Sequence, residues 1–226
     1  MTGQALVATT DLTTGDRSFA DLLTPAQWYR LPAPIRRRFS APFCTGRTVC
    51  YRGRVIETRL TRVGWLLAQL TRLVGAPLPL HRESPRGEAG IATVVVTDHP
   101  GNGGQIWSRH YHRRRGFPQA IHSVKRFAGP TGLEEYLGFG LSMALELRAR
   151  GSSLAFIGSR YFLSFGFLGL EGWRFELPGW MSPGVLTVEH REEGEGWFSF
   201  SLSLDHPRLG CLVYQLARFR DDADPG

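Results

Sequence analysis

Lysine is almost absent from this chain of 226 residues, and arginine carries nearly all of its positive charge. Cysteine is scarce as well. Cys44, Cys50 and Cys211 are an odd set at spacings that match no zinc module, so neither a disulfide framework nor a thiolate metal site is expected, and three buried, reduced thiols are. No run approaches the roughly eighteen apolar residues of a membrane-spanning helix. The opening MTGQALVATTDLTTGDR lacks the basic start and apolar core of a secretory signal. These absences together predict a soluble, cytoplasmic protein. Motifs of known chemistry are missing too: no G-x-G-x-x-G follows a strand, no G-x-S-x-G marks a nucleophile elbow, and His81, His99, His110, His112 and His206 are scattered, with His110-x-His112 only a two-ligand fragment. Neither a cofactor nor a metal is expected.

What is present suits a large core: 42% of the residues are apolar and 12% aromatic, enough for one domain of this length. The formal charge of +7 raises the question of an acidic partner. The arginines are nevertheless spread along the chain. Only Arg36–Arg38 and Arg113–Arg115 form clusters, neither inside a nucleic-acid motif, so nucleic acid is disfavoured.

Residues 1–17 read as a flexible leader, 18–220 as a single β-rich domain and 221–226 as a disordered tail. Ser18, and Thr24 followed by Pro25, are cap signals for short N-terminal helical turns. In TRVGWLLAQLTRLVG, Val63, Leu66, Leu67, Leu70, Leu73 and Val74 recur at helical spacing, with Thr61 as the cap and Gly75 and Pro77 as the stop. Beyond it the pattern changes to alternating, β-rich runs punctuated by HPGNGG, RGSS and EEGEG, which favour tight hairpins. The expected fold is α+β and β-dominated: an antiparallel meander forming a barrel or strongly curved half-barrel, with N-terminal helical turns and one longer amphipathic helix that plug an opening or pack on one face.

Within QIWSRHYHRR, Trp107, Arg109 and Tyr111 fall on one face of an extended strand. An arginine on an inward face needs a carboxylate. Glu57, Glu134, Glu135 and Glu146 lie on strands, and Glu134 is the preferred partner because its strand is two hairpins away. Lys125 shares a face with Ile121 and Ser123 on the adjacent strand, Tyr161 offers a further phenol, and His190 shares a face with Leu186 and Val188. Each also has a plain reading: a register-fixing ion pair, a solvent-facing lysine, a half-buried aromatic and a hydrogen-bonded core histidine.

An ordered series of segments, WYRLP, YRG at Tyr51–Gly53, APLPL at Ala76–Leu80, WSRHY, LGFGLSM at Leu137–Met143, LPGWMSPG at Leu177–Gly184 and DHPRLG at Asp205–Gly210, resembles the domain-of-unknown-function 4166 family over about residues 19 to 219. The resemblance implies a bacterial domain that stands alone or follows saccharopine-dehydrogenase-like or other oxidoreductase modules. It carries no assigned catalytic residues. Residues and resemblance together lead to an expected function: binding of a small, largely apolar ligand, lipid or isoprenoid-like with a polar end, in a cavity of ligand size, auxiliary to an oxidoreductase. Its ligand-binding set is Trp107, Arg109, Tyr111, Lys125, Glu134, Tyr161 and His190. The alternatives are an isomerase, cyclase or hydrolase using His190 or Glu134 as acid or base, and a module that docks on a protein or nucleic acid.

Overall fold

The computed structural model describes residues 17–43, 45–75, 78–83, 90–99, 104–112, 118–165 and 174–221. The N-terminal caps form as the sequence predicts. The Ser18 N–H donates to Asp21 Oδ2 at 2.6 Å ahead of a 3-10 turn (Phe19–Leu22), and the Gln27 N–H donates to Thr24 Oγ1 at 3.3 Å at the start of α1 (Pro25–Arg30). α2 (Ala33–Phe39) follows at once. The leader expected over 1–17 lies, except for Arg17, outside the described residues.

Among the described residues eleven strands follow: β1 (Thr48–Leu60), β2 (Gly90–His99), β3 (Gly104–His112), β4 (Gln119–Arg126), β5 (Glu134–Gly138), β6 (Leu141–Arg150), β7 (Ser153–Ser164), β8 (Arg174–Glu176), β9 (Val185–Gly194), β10 (Trp197–His206) and β11 (Gly210–Arg220). β1 also pairs with β11, and β7 pairs with both β6 and β9, so ten strands close into an antiparallel barrel. β8 lies beside the last residues of β7, past the end of β9. Closure removes the exposed sheet edges, and register shifts between Val55 and Glu57 and between Ala144 and Leu145 provide local bends that help the sheet curl.

Each end of the barrel has its own cover. The N-terminal segment closes the end where β1 begins: Phe19 packs edge to face on Phe39, Phe43 and Phe156, and Phe43 lies tilted against Phe127, while Arg38 pairs with Glu192 at 2.6 Å and with Asp221. Asp221, expected in a disordered tail, is fixed by this pair and by its N–H to the Gly196 carbonyl. At the opposite end α3 (Arg62–Leu70) and a 3-10 turn (Thr71–Val74) run from the β1–β11 edge toward the β5–β6 turn. Thr61 caps α3 through the Gly64 N–H at 3.0 Å, and Gly75 ends it in the left-handed region at φ +101°.

Two expectations need correction. The apolar stripe of α3 does not face the barrel: Val63, Leu66, Leu70 and Leu73 are 48–76% exposed. Gly64 and Ala68 make the buried face, because a Cβ on Gly64 would lie 2.0 Å from the Leu212 carbonyl oxygen and only a glycine lets the helix approach this closely. The cysteines are not all buried either. Cys50 and Cys211 are free and exposed, while Cys44 lies outside the described residues.

Candidate ligand site in the barrel lumen

Alternation along β3 points Trp107, Arg109 and Tyr111 inward, and the antiparallel register sets Trp107 opposite Ser123, Arg109 opposite Ile121 and Gln105 opposite Lys125. On the next strand Lys125 faces Glu135. The outcome is a buried charge centre. Lys125 Nζ donates to Glu135 Oε1 at 3.0 Å, and Arg109 Nη2 donates to the same oxygen at 3.4 Å and to Ser123 Oγ at 2.6 Å. Arg109 Nε, also buried, makes no hydrogen bond to any described residue.

Glu134, the expected partner of Arg109, faces the other way. It is fully buried on the outer side of the wall, clamped by Arg126 at 3.0 Å and Arg174 at 2.7 Å. The correction is one residue, which on a strand is a change of face. The sequence held the signal: Glu135 alternates with Leu133 and Leu137, both buried. Of the other candidate acids, Glu57 pairs with Arg59 and Glu146 with Arg148.

Two cations sharing one carboxylate leave the centre with an excess positive charge. Burial alone would raise the Glu135 pKa, but Lys125 and then Arg109 override it and hold the carboxyl at about 2. Lys125 moves down, because burial and the neighbouring guanidinium outweigh its share of Glu135. The two directions agree physically: the carboxylate has two partners, and each cation has half of one. Lys125 is the only lysine in the chain. Its ammonium lies 4.5 Å from the Trp107 ring centroid, a cation–π contact.

The indole is locked from behind. Trp107 Nε1 donates to Gln105 Oε1 at 2.9 Å, and Gln105 Nε2 donates to Asp98 Oδ1 at 2.9 Å. Trp107 and Phe200, edge to face at 6.0 Å, partition the lumen. On one side is a cavity of about 40 Å³ bordered by Arg109, Tyr111, Lys125, Phe156 and Phe219. On the other, under α2, is one of about 30 Å³ bordered by Arg38, Tyr51, His190 and Phe198. Tyr111 and Gln215 separate the first from a third, of about 20 Å³, at the α3 end. A cavity of 40 Å³ has room for about three water-sized groups. The lumen is thus neither solid nor ligand-sized as it stands.

Trp107, Arg109, Tyr111 and Lys125 therefore border one cavity. His190 borders the next, stacked on Phe198 at 5.0 Å, edge to face with Phe39 and Phe200, and 3.5 Å from Arg38. Burial, reinforced by Arg38, pushes its pKa down to about 3. Tyr161 points inward opposite Met143, but its hydroxyl is committed to the Gly184 carbonyl at 3.1 Å, and burial raises its pKa. Phe156, Phe200, Gln215 and Phe219 are among the lumen residues that the sequence did not single out. Among the described residues no group of three or more His, Cys, Asp or Glu is placed to hold a metal ion.

Residues 31–219, which hold α2, α3 and nearly the whole barrel, match the family model described as Domain of unknown function (DUF4166). The chain belongs to that family. No curated protein and no solved structure matches it. The DUF4166 barrel thus brings its own interior as the guide to function. No helix among the described residues is long and apolar enough to cross a membrane.

Proposed function

We propose that the lumen binds a small, largely apolar molecule by an anionic or carbonyl-bearing end. The observation that carries this reading is the unbalanced charge centre: Arg109 and Lys125 share the single carboxylate of Glu135 beside an aromatic-lined cavity. A pair built only to fix strand register would be balanced, since a surplus buried cation costs stability. A ligand carboxylate supplies the missing charge, and its apolar body lies against Trp107, Phe156, Phe200 and Phe219. The small free volume sets a condition. A lipid or isoprenoid-like body enters only if Trp107 and Phe200 part and the adjoining cavities merge. A protein that stores or delivers such a molecule suits an auxiliary role beside an oxidoreductase.

Acid–base catalysis at neutral pH is less well supported, because Glu135 and His190 are held far from the neutral range in which a proton shuttle works best. The test is native mass spectrometry of gently purified protein, followed by extraction and identification of any adduct. The expected result is a stoichiometric adduct with an acidic or carbonyl end that is lost in folded Arg109→Met and Trp107→Ala variants. An adduct retained in Arg109→Met would sink the assignment of the headgroup.

A further inference from the structure

Most of the exposed large apolar side chains stand at one end of the barrel. Val63, Trp65, Leu66, Leu70 and Leu73 project from α3 and its 3-10 extension. Phe139, 63% exposed, forms the β5–β6 turn; Leu209, 55% exposed, forms the β10–β11 turn; and Trp180, 84% exposed, with Met181, precedes β9. Close contacts join these pieces in series. A Cβ on Gly75, at the end of the helical segment, would lie 2.6 Å from the Leu137 carbonyl beside Phe139. The Thr61 N–H donates to the Leu212 carbonyl, which ties the start of α3 to the strand that follows Leu209. Gly184, which follows the Trp180 turn, packs against the Asp205 carbonyl on the strand that leads to Leu209. The apolar rim also runs on into an open groove of about 460 Å³ on the outer wall, bordered by Val124, Tyr136, Leu137 and Phe139.

Charge accompanies this surface. Arg62 precedes Val63, Arg72 precedes Leu73 and Arg208 precedes Leu209; all three arginines are exposed, and none has a carboxylate partner among the described residues. Among the described residues, acids at this end include Glu57, paired with Arg59, Glu176, paired with Arg160, and Asp205, which accepts from the Ser203 hydroxyl.

We propose that this end docks on an anionic lipid surface, with the apolar face of α3, Phe139, Leu209 and Trp180 entering the interfacial region and Arg62, Arg72 and Arg208 pairing with lipid phosphates or carboxylates. Apolar tips next to cationic side chains with long stems are the chemistry of interfacial binding, and tryptophan favours that depth. Charge decides against a second copy of this chain. A two-fold contact apposes like patches, so the three arginines would meet their own counterparts, and Asp205, which makes no ion pair among the described residues, answers only one of them on each copy. The inference is independent of what fills the lumen.

The full chain is tested by cosedimentation with phosphatidylcholine vesicles and with mixed phosphatidylcholine–phosphatidylserine vesicles, and by quenching of tryptophan emission with brominated lipid. Binding is expected to the mixed vesicles only. It is expected to fall about fivefold for each of Arg62→Gln, Arg72→Gln and Arg208→Gln, on the basis of about 1 kcal/mol per cation near an anionic surface. Leu70→Glu/Leu73→Glu, at sites too exposed to disturb the core, is expected to abolish it, and Trp65→Phe/Trp180→Phe to remove the quenching. Failure to bind the mixed vesicles, equal binding to both vesicle types, or binding unchanged in Leu70→Glu/Leu73→Glu overturns the proposal. Self-association through this face, abolished by the same double variant, would likewise overturn it. A bound lumen adduct together with absent vesicle binding would refute this inference and leave the lumen reading intact.

Discussion

Replacing Glu135 with glutamine isolates the charge centre with almost no change in shape. In the native protein the carboxylate faces Lys125 at 3.0 Å and Arg109 at 3.4 Å and is 4% exposed, so little solvent screening applies. Its folded pKa of about 2 against an ordinary 4.5 corresponds to about 3 kcal/mol of stability from the ionised form. Removing one member of a buried ion pair typically costs about 3–5 kcal/mol, since the cations are left uncompensated. Urea denaturation at neutral pH is therefore expected to show Glu135→Gln about 3–4 kcal/mol less stable than the native chain. The pH dependence gives the second half of the test. Because the folded pKa is depressed, this contribution is present above about pH 4.5 and is lost as pH falls toward 2. The gap between native and variant is expected to close over that window. A loss below about 1 kcal/mol at neutral pH, or a gap that does not change with acid, would refute the charge-centre argument.

Three further outcomes follow from the same geometry. Lys125→Met is expected to remain within about 1 kcal/mol of the native stability, because Arg109 still faces Glu135 and a costly buried ammonium is removed; a loss equal to that of Glu135→Gln in the same denaturation series would show that the lysine is not the surplus cation. His190 is expected to stay neutral by NMR well below pH 6.5. Since its folded pKa is depressed, the unfolded chain takes the proton first and stability falls as pH drops from 6.5 toward 3, by on the order of 4 kcal/mol, a dependence that His190→Phe should remove and that an imidazole titrating near 6.5 would contradict. Gly64→Ala gains about 1 kcal/mol of helix propensity but drives a Cβ to 2.0 Å from the Leu212 carbonyl, so thermal denaturation should show a net loss of about 1–3 kcal/mol; a stabilised variant would contradict the close packing of α3 on Leu212.

The barrel was largely legible because alternation and hairpin chemistry are local signals. The alternating runs beyond the helix became β2–β7 and β9–β11, and the three-residue β8 had no pattern of its own. Closure depends on long-range pairing of β1 with β11 and of β7 with β9, so the sequence left barrel and half-barrel open. At the site, the faces of Trp107, Arg109, Tyr111 and Lys125 were readable from parity, but the choice between Glu134 and Glu135 turned on a single residue of register. The helix misled for a different reason. Periodicity shows that α3 has an apolar face without saying which face is buried, and a glycine and an alanine let the other side pack against Leu212. The free volume of the lumen was not legible at all, because it depends on how Trp107 and Phe200 meet across the barrel.

The most direct test of the lumen as a site for an anionic headgroup is a matched pair of ligands, octanoate and octanol, titrated by calorimetry into the native chain and into Arg109→Met. Octanoate is expected to bind at least about tenfold more tightly than octanol to the native protein, as a charge-assisted hydrogen bond warrants, and the preference is expected to vanish in the variant. Equal affinity for acid and alcohol, or a preference that survives loss of Arg109, would contradict it.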